Sequence, residues 1–254
     1  MLFINHKRSV FVVTALLVMT GCQSLDKELV EQEALPEMVV ELTPMEKLHQ
    51  SPNQYLLNKP IIAPEINAKF TQALTTAKAK QLAQAKEQFL SLTIAAPTLS
   101  GPWLQLGDIA LQEKAIKHAI AHYQQAVYVN KHNYFAHNRL GTLLRQQGEF
   151  EQAKKHYELA LAAWPAFVPA RKNLAILLDL YMGKSVLALE EYQTVAALNG
   201  LNKLPEERQL KGWVADLSRR VAAEKKRKQR LAEQEAAKQQ ADDVATPTGV
   251  ENEQ

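Results

Sequence analysis

The feature of this 254-residue sequence that most constrains its fold is a 34-residue period in the middle of the chain. Five pairs of residues keep this spacing: Leu106 and Leu140, Gly107 and Gly141, Ala119 and Ala153, Tyr123 and Tyr157, and Ala126 and Ala160. Equivalent residues continue the pattern on both sides: Ala85, Phe89 and Pro97 upstream, and Leu174, Ala175, Ala188, Tyr192 and Gly200 downstream. Such a period indicates stacked helical units, because one helix pair cannot bury its apolar face alone.

The repeated residues resemble the tetratricopeptide repeat (TPR), a helix–turn–helix unit of about 34 residues. The resemblance covers about residues 66–200 in four units: about 66–99, 100–133, 134–167 and 168–200. The first unit is degenerate because it lacks the Leu–Gly pair. Departures are His137 and Arg171, where a Trp-like residue is usual, and Lys131, where Pro is usual. The resemblance implies an all-α TPR solenoid of three clear repeats and one degenerate repeat, with a core of small and aromatic residues.

Each unit is expected to contain one helix pair, and one further helix follows the last unit. The predicted pairs are 66–79 and 82–95, 100–112 and 116–129, 134–147 and 150–163, and 168–181 and 186–198. A last helix begins near Pro205, and apolar residues follow at helical spacing: Leu210, Trp213, Val214, Leu217 and Val221. We expect residues 201–222 to form a capping helix that covers the open face of the final repeat.

The N-terminus has the pattern of an export signal. His6, Lys7 and Arg8 precede an apolar stretch, 10–19, that is shorter than the roughly 20 residues needed to span a bilayer. The signal 1–21 ends in a sequence that resembles the lipobox of bacterial lipoproteins, in which the cysteine, here Cys22, is acylated. Cys22 is the only cysteine in the chain, so it cannot form an intramolecular disulfide. The alternative is a plain signal peptide with an incidental cysteine.

The lipoprotein resemblance also implies a location. Gln23 in place of Asp after Cys22 implies an outer-membrane anchor that faces the periplasm of a Gram-negative bacterium. Residues 22–65 then form a flexible acidic tether, since prolines recur at positions 36, 44, 52, 60 and 64. From Asp26 to Lys47 the acids outnumber the bases: Asp26, Glu28, Glu31, Glu33, Glu37, Glu41 and Glu46 against Lys27 and Lys47. The alternative is that this tether folds against a basic surface of a partner.

The C-terminal region is basic and then polar. Residues 223–254 are expected to form a basic helical extension and a disordered tail. The basic residues begin just before it: Arg219, Arg220, Lys225, Lys226, Arg227, Lys228 and Arg230, with Glu224 as the one acid among them. They form either a solvated surface or a contact for anionic lipid or an acidic partner. Export and the lack of interleaved aromatic residues argue against a nucleic-acid partner.

The sequence contains no recognisable catalytic pattern. A glycine-rich phosphate loop, a serine elbow and a cysteine-based site are all missing, so we predict no enzyme activity, no cofactor and no small-molecule substrate. His118 and His122 have the i,i+4 spacing of zinc-binding histidines, but the glutamate of a metalloprotease helix is absent from this segment. We therefore predict no metal site.

The TPR resemblance implies a partner-binding groove lined by the first helix of each pair. The family's groove positions correspond here to Asn138, Arg139, Thr142 and Arg145, then Lys172, Asn173, Ile176 and Asp179, with Leu104, Asp108 and Leu111 upstream. The basic–amide clamp of chaperone-binding TPR domains is not reproduced. Basic groove side chains could pair with acids of a partner.

Together these features predict a non-catalytic, membrane-anchored adaptor that binds a protein of the cell envelope. TPR lipoproteins of this size assist pilus secretin assembly, outer-membrane protein insertion, peptidoglycan-enzyme regulation or TonB-type transport. Two alternatives remain at this point: a peptidoglycan-active or other envelope enzyme with an unrecognised site, and a structural protein that binds lipid or cell wall through residues 219–230.

Overall fold

The structure, a computed structural model, describes residues 41–245, with side chains as far as residue 241. The predicted signal 1–21, Cys22, the tether as far as residue 40 and the last nine residues lie outside this range. Every regular element of residues 41–245 is a helix. The helices are α1 (Pro44–His49), α2 (Gln54–Leu57), α3 (Pro64–Lys78), α4 (Leu82–Ala95), α5 (Ser100–Gln112), α6 (Ile116–Val129), α7 (Tyr134–Gln146), α8 (Phe150–Ala163), α9 (Val168–Leu180), α10 (Ser185–Leu201) and α11 (Arg208–Ala245).

Helices α3 to α10 form four pairs, α3/α4, α5/α6, α7/α8 and α9/α10, called here the first to fourth repeats. The two helices of a pair pack on each other, and the second helix packs on the first helix of the next pair. The prediction of an all-α solenoid of helix pairs is confirmed. The eight helices lie within a few residues of their predicted bounds, with the largest difference at the end of α10, which continues to Leu201.

The turns inside the four pairs share one backbone conformation. Lys80, Lys114, Gly148 and Gly183 occupy equivalent positions, and all four have a positive φ, of 63°, 61°, 83° and 63°. A left-handed residue lets the chain reverse after one helix and start the next. Glycine adopts it without cost, whereas a lysine is disfavoured there by about 1–2 kcal/mol. The left-handed conformation of this turn residue is therefore imposed by the packing of the helix pair, since both lysine and glycine adopt it.

The glycine and the tyrosine of a repeat are in contact within one helix pair. A Cβ built on Gly107 would lie 2.4 Å from Cε1 of Tyr123, and one on Gly141 would lie 2.6 Å from Cε1 of Tyr157. Both distances are shorter than real Cβ contacts allow, so these positions need glycine for close packing. The rings of Tyr123 and Tyr157 thus pack against the glycine of their own helix pair.

The segment before α3 is packed on the solenoid, although a flexible tether was predicted as far as residue 65. We call residues 43–57 the N-terminal strap. Its helix α1 contacts α10, and His49 is hydrogen-bonded to Asn202 at 2.9 Å. Tyr55 packs edge-on against Tyr134, with ring centroids 5.8 Å apart. The proline-rich composition did not predict this packing, because the contacts join residues far apart in sequence.

Local capping explains how such short helices form. Thr43 and Glu46 form a reciprocal capping box at the start of α1, and the side chain of Asn53 accepts the Leu56 backbone N–H at the start of α2. These bonds satisfy backbone donors that a short helix leaves unpaired. The strap is therefore ordered by its own caps and by contacts with the third and fourth repeats.

Helix α11 closes the solenoid and then continues beyond it. Leu210 and Leu217 are buried, and Trp213 packs on Tyr192 with ring centroids 5.4 Å apart, as expected of a capping helix. From residue 225 to residue 241 every side chain is exposed. Among residues 41–245, no helix is both long and apolar enough to cross a membrane.

Candidate partner-binding face

The predicted groove residues lie on the first helices α5, α7 and α9, which the TPR resemblance assigns to the concave face of the solenoid. Side chains of neighbouring repeats reach each other across this face. Arg139 Nε donates a hydrogen bond to Asp108 Oδ1 at 3.0 Å, and Asn173 Nδ2 donates to Asn138 Oδ1 at 2.9 Å. The fold therefore brings together residues that are more than 30 positions apart in sequence.

Asp108 is the acceptor for two groups of different repeats. The Tyr123 hydroxyl donates to Asp108 Oδ1 at 2.7 Å, and Arg139 pairs with the same oxygen. Burial, followed by the hydrogen bond to Asp108, raises the pKa of Tyr123, so the hydroxyl remains a proton donor. Arg139 was predicted to face a partner's acids, but it already has a carboxylate from its own chain.

Asn138 is buried and joins two neighbouring repeats, so little of its side chain is open to a partner. Its side chain is 4% exposed and accepts the hydrogen bond from Asn173. The neighbouring Thr142 bonds back to the Asn138 carbonyl at 3.0 Å, and its hydroxyl lies 3.4 Å from the Tyr157 hydroxyl. Asn138 is buried, whereas Thr142 and Asn173 are both partly exposed.

The last repeat is joined to the capping helix by two ion pairs. Lys172 pairs with Glu207, which precedes α11, and the Lys172 ammonium also lies 5.6 Å from the Trp213 ring centroid. Asp179, whose side chain is 8% exposed, accepts from Arg220 Nη2 at 2.7 Å. The sequence pattern missed both pairs, although Glu207 follows Lys172 by 35 residues, the spacing of the last repeat.

Arg145 differs from the other two predicted groove cations. No carboxylate pairs with it within residues 41–245, and its Nε is buried with no hydrogen-bond partner there. Its guanidinium lies 5.7 Å from the centroid of the half-exposed Tyr181 ring. The remaining predicted positions, Leu104, Leu111 and Ile176, are partly buried and pack against the core.

The histidines form side-chain pairs between the helices of a repeat. His122 stacks on Trp103 at 5.8 Å between ring centroids, while His118 is exposed. His137 Nδ1 lies 3.0 Å from His156 Nδ1, and His137 Nε2 lies 3.1 Å from the Lys131 carbonyl oxygen. Across residues 41–245 there is no group of three or more His, Cys, Asp or Glu side chains placed to hold a metal ion.

The basic residues of α11 divide into two groups. Arg219 and Arg220 pair with Asp216, at 3.3 Å and 3.1 Å. Lys228 pairs with Glu224 at 2.8 Å, one turn apart on the exposed part of the helix. The others of the basic set, Lys225, Lys226, Arg227 and Arg230, lie on the same exposed part. They are distributed around the helix, so no apolar face accompanies them.

Comparison with known proteins agrees with this architecture. Residues 101–133 and 136–166 match the sequence model of the tetratricopeptide repeat. The fold is similar to PilF of Pseudomonas aeruginosa, with a TM-score of 0.53 and 21% identity over 62% of this chain and 69% of that chain. It is also similar to MamA of Desulfovibrio magneticus RS-1, with a TM-score of 0.52 and 15% identity over 68% and 94% of the two chains. No curated protein shows significant sequence similarity to the chain.

Proposed function

We propose that this protein is a non-catalytic adaptor that binds a protein partner through the concave face of its TPR solenoid. The observation that supports this most directly is the continuous set of paired side chains along α5, α7, α9 and the segment just before α11. Solenoids use such extended concave surfaces to bind partners. The polar groups on this face are arranged in contacts between repeats.

The proposal includes a membrane anchor and a place in the cell envelope. Acylation of Cys22 would hold the protein at the outer membrane, facing the periplasm, and several acyl chains anchor a protein stably. The partner would then be a component of an envelope complex for pilus assembly or secretion, outer-membrane assembly or TonB-type transport. The lipobox-like end of the signal segment supports this part of the proposal.

Site-specific photocrosslinking in cells tests the binding face. A photoreactive amino acid is introduced at Thr142 or at Ile176, which are partly accessible on the first helices. Matched controls carry it at Lys117 or Glu190, which are exposed on the second helices α6 and α10. We expect one dominant envelope protein to crosslink from the first two positions only. Equal crosslinks from all four positions would contradict the concave face as the working surface.

Fractionation of a Cys22→Ser variant tests the anchor separately. We expect the wild-type protein in the outer-membrane fraction and the variant in the soluble periplasmic fraction. A Ser24→Ala variant, which keeps the cysteine, serves as the control. A Cys22→Ser protein that stays membrane-bound would contradict lipidation at this residue while leaving the partner-binding proposal intact.

A second candidate function is lipid binding through the exposed part of α11. The full exposure of residues 225–241 and the basic side chains around the helix favour it. A variant with Gln at Lys225, Lys226, Arg227, Lys228 and Arg230 should then lose binding to vesicles that contain anionic lipid. Binding that is unchanged, or equal on neutral vesicles, would exclude this candidate.

A further inference from the structure

Three basic residues of the predicted groove, Arg139, Arg145 and Lys172, were expected to meet a partner's acids. The structure shows that they differ in their ion pairs within the chain. Arg139 is bound to Asp108, and Lys172 is bound to Glu207. Both charges are therefore balanced within the chain, and a partner would have to displace an internal ion pair to use them. Arg145 is the one of the three without a carboxylate within residues 41–245, so it can accept an external carboxylate without breaking an internal ion pair.

Asp179, an acid of the same face, already has a partner. Burial raises the pKa of Tyr192; the Asp179 charge adds to this effect and the Arg145 charge opposes it. Asp179 is held by Arg220 of α11, with Oδ1 and Nη2 2.7 Å apart. The capping helix thus supplies a counter-ion for Asp179, and this leaves Arg145 available.

The surroundings of Arg145 hold the guanidinium in place. One side lies over the Tyr181 ring at 5.7 Å, and this ring packs on Phe150 with centroids 5.0 Å apart. The Tyr157 hydroxyl donates to Thr142 Oγ1 at 3.4 Å, and burial raises the pKa of Tyr157 while the neighbouring Arg145 guanidinium opposes that effect. A guanidinium fixed by stacking loses little side-chain freedom when it binds a planar acid.

We propose that Arg145 is the anchor of the partner site and binds a carboxylate of the partner, either an Asp or Glu side chain or the C-terminal carboxylate of the chain. A carboxylate matches the fork of guanidinium donors, and no carboxylate of residues 41–245 pairs with the Arg145 guanidinium. This inference rests on the proposed concave-face function and names the chemistry of the group that binds there.

The first experiment measures carboxylate binding directly. The side-chain Nε–Hε NMR signals of the mature chain carrying Cys22→Ser are followed during titration with three pentapeptides. Ac-Ala-Ala-Glu-Ala-Ala-NH₂ has a side-chain carboxylate, Ac-Ala₅-OH has a C-terminal carboxylate, and Ac-Ala₅-NH₂ has neither. The Arg227 signal reports a solvated arginine, and the Arg171 signal reports one that is already paired with Glu191.

We expect the Arg145 signal to shift saturably, and at least about threefold more than the Arg227 signal, with one or both acidic peptides and not with the neutral one. The peptide with the larger effect identifies the source of the carboxylate. An Arg145 shift no larger than that of Arg227, or equal for all three peptides, would overturn the proposal.

The second experiment separates this inference from the proposed function. The crosslink from Thr142 is measured in Arg145→Gln and Arg145→Lys variants, with Lys117→Gln as the control. We expect Arg145→Gln to reduce the crosslink at least about tenfold, Arg145→Lys to reduce it less, and Lys117→Gln to leave it unchanged. A strong crosslink that survives Arg145→Gln would refute the anchor while supporting the concave face. If no dominant crosslink forms in the unmodified protein, the proposed function itself fails.

Discussion

The third and fourth repeats solve the same packing problem with different chemistry. In the third repeat, His137 of α7 contacts the Lys131 carbonyl oxygen through Nε2 at 3.1 Å and His156 of α8 through Nδ1 at 3.0 Å. In the fourth, Arg171 of α9 donates from Nε to the Pro165 carbonyl oxygen at 2.8 Å and pairs with Glu191 of α10 at 2.8 Å. A neutral pair and a charged pair thus occupy equivalent places.

This comparison explains two departures from the TPR pattern. A Trp-like residue is usual at the position of His137 and Arg171, and in the second repeat Trp103 stacks there on His122. The position requires a side chain that packs on the second helix and, in the last two repeats, one that donates to the turn carbonyl six residues earlier. Three different pairs occupy this place: Trp103 with His122, His137 with His156, and Arg171 with Glu191. The residue on the first helix therefore matches its partner on the second helix, even where it departs from the family pattern.

The charged pair of the fourth repeat should show the largest effect when it is broken. Arg171 and Glu191 side chains are 12% and 21% exposed, so Glu191→Ala leaves a nearly buried cation without its partner. We expect a loss of about 2–3 kcal/mol in the free energy of unfolding, measured by urea denaturation. The adjacent exposed Glu190→Ala should change it by less than about 0.5 kcal/mol. Equal effects of the two substitutions would mean that the pair is not a stabilising contact.

The neutral pair of the third repeat should make stability depend on acidity. With Nε2–H donated to the Lys131 carbonyl, neutral His137 accepts at Nδ1, so His156 carries its proton on Nδ1. Burial, with smaller contributions from His156 and His132, lowers the pKa of His137 from 6.5 to about 4. Burial and Lys155 also lower the pKa of His156.

A lowered histidine pKa means that protons bind the unfolded chain first as the pH falls. Above pH 6.5 His137 is neutral in both the folded and the unfolded chain, so full stability is present there. As the pH falls from 6.5 toward 4, protonation of the unfolded chain progressively lowers the free energy of unfolding. We expect about 2–3 kcal/mol less stability at pH 4.5 than at pH 7.5 from His137, and a His137→Phe variant should lack that part of the decrease. An exposed His118→Gln variant is the control. An acid dependence that His137→Phe leaves unchanged would remove the histidine pair as its cause.

The glycine position distinguishes the same two repeats by packing. Gly141 contacts the Tyr157 ring so closely that a Cβ would lie 2.6 Å from Cε1, whereas the fourth repeat accommodates Ala175 at the equivalent position. We expect Gly141→Ala to destabilise the protein by about 1–2 kcal/mol. The cost of displacing the Tyr157 ring exceeds the stability that a helix gains when alanine replaces glycine. Gly212→Ala, which meets nothing within 4 Å in α11, should stabilise by up to about 1 kcal/mol. The same sign for both would contradict the close contact.

The smallest expected effect concerns the tyrosine hydroxyls. Tyr157 has Thr142 as a hydrogen-bond partner at 3.4 Å, whereas Ile176 at the equivalent position of the fourth repeat cannot bond Tyr192. Thr142→Val removes this bond, and the bond from Thr142 to the Asn138 carbonyl within α7, with little change in volume. We expect a loss of about 0.5–1 kcal/mol in the free energy of unfolding, measured by urea denaturation. A loss above about 2 kcal/mol would mean that Thr142 holds more than the tyrosine.

Much of the fold follows from the sequence because repetition is a local signal. The spacing of Gly107, Tyr123 and their equivalents predicted the number of helix pairs and nearly all helix bounds. The strap was not predicted, because its order depends on Tyr55 meeting Tyr134 and His49 meeting Asn202. Prolines in this segment limit helix length, but they do not prevent packing of short capped helices.

The candidate site was predicted as a set of positions, and the structure decided which of them are available. The family pattern placed Arg139, Arg145 and Lys172 on one face; in the structure Arg139 and Arg145 belong to α7 and Lys172 belongs to α9. Whether each is paired depends on acids from other repeats and from the segment before α11, such as Asp108 and Glu207. Side-chain pairing across repeats has no signature within a single unit, so it could not be read from the period alone.

By itself, the sequence determined that the chain forms stacked helix pairs, since small, aromatic and apolar residues at a fixed spacing can be buried in only one type of arrangement. It also indicated the chemical character of the concave face. Only the tertiary structure decided that Arg139 and Lys172 are satisfied internally, and that Arg220 of α11 takes Asp179 and leaves Arg145 without an acid among residues 41–245. The physical reason is that burial depends on periodicity along the chain, whereas ion pairing depends on which side chains of distant segments come within a few ångströms.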